Sequence, residues 1–345
     1  MTPKKTKVRM IDIAREAGVS RVAVGAVLTG AGNGRIGTSK EVAEKILAIA
    51  AKYNYYPNTV ARALTGKSSK VIGVLLDSKV PTVCFRMLEA LEAEAAENGY
   101  TIQIAEAHNS SRRLYDSYRI MKSHCVDGVI CISHHYTDED ITETEKFFNG
   151  VNDIVFIGGP VYNGHTHVIM DTEYGLQQCA ELLTSHGRKK IALLLHALDS
   201  HSQIQRQNGF LKVFPDGMDN IFTMGEHELC EEEQGEAVRR FIDEIFIPRK
   251  FDGLIAVDDL TALKAMTLLQ MRGIKIPQDI EIIGYDNDTF AQWLSPPLST
   301  VDHSTNEIAV KAVSILLQKL KEPEKVFKEL IAVKPVLIQR GTTLH

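Results

Sequence analysis

Apolar positions in the first fifty residues recur at helical spacing. Met10, Ile13, Ala14 and Ala17 follow the i, i+3, i+4, i+7 rhythm of one buried face, and Val24, Val27 and Leu28 form a second short stripe. Between the stripes, Gly18 supplies the positive φ that ends a helix and Ser20 a hydroxyl that caps the next. Small side chains at Ala14, Ala17 and Ala23 let two such helices cross closely and steeply, the geometry of a helix-turn-helix. A third helix is predicted from a cap at Thr38 or Ser39 to about Tyr53, burying Val42, Ile46, Leu47 and Ile49 or Ala50. Pro57 follows, then NTVARALTGK, helical in propensity but too short to stand alone, since isolated helices below about 12 residues are marginal in water.

From Val71 the pattern changes. The strand-like runs VIGVLL, TIQIA, GVICI and IVFIG alternate with amphipathic helical segments near 85–98, 112–123 and 138–147. After a break at GPVYNGH the alternation restarts with HVIMD and continues through KIALLL, a weaker IFTM, GLIAV and EIIGYD. The helices between these runs fall near 172–186, 205–214, 231–246 and 260–271, and the chain closes with LSTVD, a helix near 305–320 and VKPVLIQRG. Strand then helix, repeated in two sets, predicts two parallel sheets with helices on both faces, hence two lobes.

Length and charge sharpen this division. At 345 residues the chain exceeds one ordinary core. The net charge of −5 conceals an asymmetry: residues 1–70 carry 13 Lys+Arg against 4 Asp+Glu, and the remainder carries −14. A basic head neutralises phosphates while an acidic body stays soluble, so double-stranded DNA is the expected partner of the head. The opening MTPKKTKVRM has no apolar core of a signal peptide, and the longest apolar runs are strand-length. A cytoplasmic protein without a membrane partner is expected. The five cysteines, at 84, 125, 131, 179 and 230, are odd in number and form no CxxC, which fits reduced thiols. His124, His134 and His135 lie near Cys125 and Cys131 without the spacing of a metal site. No glycine-rich phosphate loop and no assignable catalytic triad is present, so neither a cofactor nor an enzymatic activity is expected.

The stretch AREAGVS, then YYPNTVARALTGKSSKVIGVLL, then the alternating body resembles the lactose/galactose repressor family of bacterial transcription regulators over nearly the whole chain. The resemblance implies an α/β protein. It would have an N-terminal three-helix helix-turn-helix DNA-binding head (1–57), a hinge helix and linker (58–70), and a two-lobed type I periplasmic-binding-protein-like sensor domain that dimerises (71–345). The first lobe is expected at about 71–165 and 303–330, the second at about 166–302 and 331–345. In that family the segment matching 58–65 folds on the operator, pairs with its twin across a homodimer and wedges a leucine into the minor groove. Asn58 opens this segment, Ala61 falls at the small position where twin helices touch, and Leu64 at the leucine.

The head also departs from the family's pattern. The family's base readers fall at Arg21, Val22 and Ala26, and its usual serine and arginine pair is here Gly25 and Ala26. Hydroxyls that touch phosphate are absent at Ala23 and Val42, Arg9 replaces the threonine cap of the first helix, and the loop holding Arg35 is longer. Arg21 is the one long polar side chain at the reading positions, and arginine to guanine is the commonest specific contact. The expected DNA-facing set is Ser20, Arg21, Val22, Ala26, Thr29, Arg35, Ser39, Asn58, Ala61 and Leu64. Gly25 should weaken its helix by up to about 1 kcal/mol relative to alanine.

In a two-lobed sensor the small-molecule effector sits at strand ends between the lobes. Asp286 follows EIIGY and matches the family's effector-binding aspartate, with Asp288 close behind; Asp258 follows GLIAV; Arg206, in QRQNGF, matches an arginine that grips ligand hydroxyls. Phe85 and Trp293, the sole tryptophan, are candidates to stack on the ligand. Carboxylates, an arginine and a stacking ring suit a sugar or sugar derivative. A ligand that prefers one lobe arrangement would change the spacing of the paired joints and so the grip on DNA, with induction as the default sign. The alternatives are a cytosolic solute-binding protein and a corepressor-type regulator answering to a non-sugar molecule.

Overall fold

The computed structural model describes residues 8–28, 38–56, 68–76, 82–107, 110–133, 138–197, 201–225 and 230–344. They belong to two compact units, Met1–Ser69 and Lys70–His345. Thr29, Arg35, Asn58, Ala61 and Leu64, and with them the expected hinge helix, lie outside the described residues, as do His134 and His135.

In the first unit α1 (Met10–Ala17), α2 (Arg21–Leu28) and α3 (Lys40–Lys52) enclose a core of Ile13, Ala14, Ala17, Val24, Ile46, Ile49 and Ala50. Gly18 ends α1 with φ 73°, and Ser20 Oγ accepts the Ala23 N–H at 3.1 Å, as their sequence positions predict. Ser39 caps α3 by accepting the Val42 N–H at 3.4 Å. At the start of α1 the arginine cannot accept, and Asp12 instead takes the Arg9 N–H at 2.9 Å. Glu16 ties α1 to the end of α3, accepting from Lys52 Nζ at 2.8 Å and Tyr53 Oη at 2.6 Å. Leu47 corrects the predicted core: it is 52% exposed, because the buried face of α3 runs through positions 46, 49 and 50. Val27, Leu28 and Val42 are half-buried around that core.

In the second unit, β1 (Val71–Leu76), β2 (Thr101–Glu106), β3 (Gly128–Ile132), β4 (Ile154–Ile157), β5 (His167–Met170) and β11 (Leu330–Val333) form a parallel sheet. Its order is β11-β5-β4-β3-β1-β2. Alternate residues face opposite sides, as strand geometry requires. Ile72, Val74, Ile130 and Ile132 pack under α4 (Thr82–Glu97) and α11 (Thr305–Lys321), whereas Leu75, Val129 and Cys131 pack under α5 (Ser111–Ser123) and α6 (Asp138–Phe148).

The second sheet is also parallel and joins β6 (Ile191–Leu195), β7 (Ile221–Thr223), β8 (Gly253–Ala256) and β9 (Glu281–Ile283) in the order β7-β6-β8-β9. Around it lie α7 (Thr172–Ser185), α8 (His201–Val213), α9 (Glu231–Arg240) and α10 (Asp259–Met271). The single helix expected over 231–246 changes to π-helical winding at Phe241–Phe246. Helices α7 and α8 touch so closely that a Cβ on Gly209 would overlap the Glu173 carbonyl oxygen. Beyond β9 the chain forms β10 (Thr300–Asp302), crosses to the first lobe as α11, and returns as β12 (Val336–Ile338), which pairs antiparallel with β10. No described helix is long and apolar enough to cross a membrane.

Two of the three expected lobe limits need correction. HVIM does not begin the second sheet: Phe156 pairs with His167 and Ile157 with Val168, so β5 extends the first sheet before the chain leaves it. The expected limit between residues 330 and 331 falls inside β11, which pairs with β5 along its whole length. The loop GPVYNGH therefore lies within the first lobe. Counting strands and helices cannot distinguish a restart from a continued sheet, because both read as strand after break.

Candidate effector site and DNA-facing helix

In the β7-β6-β8-β9 order, successive strands depart in opposite directions from β6, so β6 and β8 flank the topological switch point, where α/β sheets open a crevice. The residues just beyond these two strands meet there: His196 Nε2 lies 3.2 Å from Asp258 Oδ2. Asp258 also caps α10, its Oδ1 accepting the Thr261 N–H at 2.6 Å. Burial raises the Asp258 pKa, but the bonds from His196 and Thr261 outweigh it and hold the group below the ordinary carboxylate range.

Arg206, on α8, is 8% exposed and reaches the same strand ends. Its Nη1 donates to the Val257 carbonyl at 2.8 Å, its guanidinium lies 4.4 Å from the centroid of the Tyr285 ring, and its Nε has no partner. No carboxylate among the described residues forms an ion pair with it. The edge of Tyr285 is met by His303 at 5.4 Å and 82°. His303 Nε2 in turn lies 2.7 Å from Asp286 Oδ1. Thus Arg206, Asp258 and Asp286 are gathered at the carboxyl ends of β8 and β9, each carboxylate beside its own histidine.

The turn carrying Asp286 is strained and tightly held. Asp286 has φ 102° and Asn287 φ 53°, both in the left-handed region. The N–H of Asn287 donates to Thr300 Oγ1 at 3.1 Å and that of Asp288 to Asp259 Oδ2 at 2.7 Å. The Asn287 side chain donates to Asp302 at 2.8 Å and accepts from Arg340 at 2.7 Å. Asp259 is buried and lies 2.5 Å from Thr300 Oγ1; burial raises its pKa to about 8, so it is largely neutral at pH 7. Asp288 is 7% exposed, within its own lobe.

Two side chains connect the lobes here. From α4, Arg86 Nη1 donates to the Asn287 carbonyl at 2.7 Å and Nη2 to that of Asp286. From α8, the His201 ring packs over Gly159, where an added Cβ would lie 3.0 Å from its Cδ2. Burial, with the negative Asp286 nearby, pushes the Cys84 thiol up to about 12. A groove of about 520 Å³ flanks Arg86, between α4 and the start of α11, and is not lined by Arg206, Asp258 or Asp286.

The expected aromatic stackers are not brought into this group. Phe85 is 62% exposed on α4, and Trp293, in a single 3-10 turn, is 81% exposed on the second lobe. Sequence reasoning missed His196, His303, Tyr285, Asp259 and Arg86. The first two follow strand-like runs as directly as the aspartates do, and the strand-end rule applied to every polar type would have found them. On the head, Arg21 and Val22 are exposed on the first turn of α2, Ala26 is half-buried, and Ser20 and Ser39 serve as caps. No group of three or more potential metal ligands occurs among the described residues.

A helix-turn-helix head joined to a body with the sheets and crossings of a periplasmic binding protein defines a ligand-sensing DNA-binding protein. Residues 9–58 match the model of bacterial regulatory proteins of the lacI family, and residues 180–343 that of a periplasmic binding protein-like domain. The chain is 27% identical over 335 residues to the HTH-type transcriptional repressor PurR of Vibrio atlanticus (strain LGP32), covering 96% of this chain and 97% of that one. It is 27% identical over 340 residues to PurR of Pasteurella multocida (strain Pm70), covering 95% and 96%. Among solved structures, the lac repressor dimer bound to operator and the anti-inducer ONPF aligns with a TM-score of 0.78 at 24% identity, covering 99% of this chain and all of that one. The chain thus carries a lacI-family DNA-binding region followed by a periplasmic binding protein-like domain, and over nearly its whole length it is similar to transcriptional repressors.

Proposed function

We propose that the protein is a cytoplasmic repressor that binds a two-fold operator as a homodimer and changes its grip when a polyhydroxylated effector, a sugar or sugar derivative, enters the crevice at the ends of β6, β8 and β9. The observation that carries the effector class is the convergence of Arg206, Asp258 and Asp286. Two acceptors and a buried donor suit a ring of vicinal hydroxyls. Tyr285 is fully buried, with Arg206 over one face and His303 nearly perpendicular to its ring, so it does not offer a free face to a flat ligand. A planar heterocycle is the second reading, favoured by Phe85, which lies outside that group but stands exposed next to Arg86 on α4.

On the DNA side, Arg21 reads a base, Arg35 adds a phosphate or groove contact, Ser39 belongs to the DNA-facing set, and residues 58–65 fold as the hinge helix on the operator with Leu64 as its wedge. The domain division 1–57, 58–70 and 71–345 follows from that reading, with β5 and β11 assigned to the first lobe. The homodimer is supported by an apolar surface on the second lobe. Met271 is 78% and Trp293 81% exposed, and their neighbouring segments are joined by Gln270 Nε2 donating to the Ser295 carbonyl at 2.8 Å.

The test is a thermal-shift series on the full chain with monosaccharides, disaccharides, sugar phosphates and purine bases. A sugar that raises the melting temperature of the wild type but not of Asp286→Asn supports the reading. Stabilisation by a purine alone transfers it to the heterocycle. Gel shifts on a duplex recovered by in vitro selection then give the sign of the response, and binding that fails to weaken between low and moderate salt would refute the DNA assignment.

A further inference from the structure

The turn at Asp286 and Asn287 divides its backbone between the two lobes. Its N–H groups are taken within the second lobe and its base: Asp286 donates to the Val301 carbonyl at 2.9 Å, Asn287 to Thr300, and Asp288 to Asp259. The two carbonyl oxygens of the turn point the other way, and one guanidinium from the first lobe takes both. Arg86 stands on α4, whose next residues, Met87, Ala90, Leu91 and Ala95, are embedded in the core of the first sheet. Its position is thereby fixed from the first lobe. A loose ion pair to Asp302, 3.8 Å from Nη1, faces it from the crossing strand.

We infer that Arg86 is a positioning residue that holds the Asp286 turn from the opposite lobe, so that the conformation of the effector site and the arrangement of the lobes are one equilibrium. The regulatory half of this inference rests on the reading of Asp286 as an effector ligand; the tether itself does not. Asp286 offers its carboxylate to the crevice and to His303, while its carbonyl is held by Arg86. A ligand that draws the carboxylate toward itself also moves the carbonyl. Left-handed backbone at two successive non-glycine residues persists only where surroundings over-determine it, and here one of the determinants belongs to the other lobe. Any lobe rotation that withdraws α4 frees both carbonyls at once. The planar guanidinium presents two Nη donors at a fixed spacing to the two carbonyls, whereas a lysine ammonium is a flexible point donor without that fixed fork and holds them less rigidly.

The test is amide hydrogen exchange, followed by mass spectrometry, on the full chain without added ligand, comparing wild type with Arg86→Met and Arg86→Lys. In Arg86→Met, exchange rises at least tenfold in peptides covering 284–289 and the first turns of α4, and is unchanged in β6 and β8. Arg86→Lys falls between the two. Unchanged exchange at 284–289 overturns the inference, as does a uniform rise across the body, which is the signature of a plain stability role. If Arg86→Met fails to fold, the position of Arg86→Lys decides by the same criteria. Since no effector is present, a null result here removes the tether alone, whereas failure of sugars and purines to bind removes only the reading of Asp286.

Discussion

The carboxyl of Asp259 and the hydroxyl of Thr300 lie 2.5 Å apart in a fully buried pocket beneath the Asp286 turn. A Cβ on Gly284 would overlap the same carboxyl oxygen, so no larger side chain is accommodated at that position. Burial raises this acid from 3.8 to about 8, and the folded protein therefore holds a proton that the unfolded chain releases above pH 4. The folded pKa lies above the unfolded one, so the stabilisation is fully present below about pH 4 and is lost as pH rises through 8. Over that interval one such proton changes stability by about 1.4 kcal/mol per pH unit. Asp259→Asn can accept the Asp288 N–H through its oxygen and donate to Thr300 Oγ1 through its amide nitrogen, without the ionisation. Urea denaturation of the variant at several pH values should show this slope removed.

Gly25 lies within α2, yet the space beside it is open to a methyl group. An added Cβ would lie 3.7 Å from Met10 Sδ, an ordinary contact. Gly25→Ala should therefore stabilise the head by up to about 1 kcal/mol. Slower amide exchange in α1 to α3 would register it, and faster exchange would mean that the extra methyl is not accommodated.

Arg21 projects from the exposed first turn of α2, beside the Ser20 cap. Arg21→Ala should relax preference at one base pair of each half-site by about 1–3 kcal/mol, leaving the other positions intact. In vitro selection with the two proteins compares the preferences directly, and identical recovered sequences would assign base reading elsewhere.

Glu281 is fully buried and accepts from His186 Nδ1 at 2.7 Å, Arg188 Nε at 2.7 Å and the Leu344 N–H at 3.1 Å. This cluster fastens the C-terminal segment to β9. Arg188→Met leaves a buried carboxylate without its arginine and should cost about 3–5 kcal/mol. Glu281→Gln leaves Arg188 its bonds to the Pro277 and Asp279 carbonyls and should cost less. Equal losses in denaturant titrations would contradict this asymmetry.

The head was legible because its helices are short and each boundary is marked by one residue type: Gly18 for an end, Ser20 and Ser39 for starts. The strands of both sheets were legible as apolar runs, most of them buried, except LIAV, four residues at a sheet edge that are apolar at every position although their burial alternates. Asp286, Asp258 and Arg206 were visible as strand-end or family-matched positions. Arg86 and Asp259 were not, since their roles depend on side chains meeting across about two hundred and about forty residues of sequence, which no local spacing encodes. Trp293 shows the opposite failure: its rarity attracted a role, while its burial was unknowable from the chain.

That sole tryptophan stands 81% exposed at the surface of the second lobe. Ultraviolet-excited emission from this protein at long wavelength therefore originates at one point, in contact with solvent. A spectral shift toward the blue on raising the protein concentration would record the drying of that single surface.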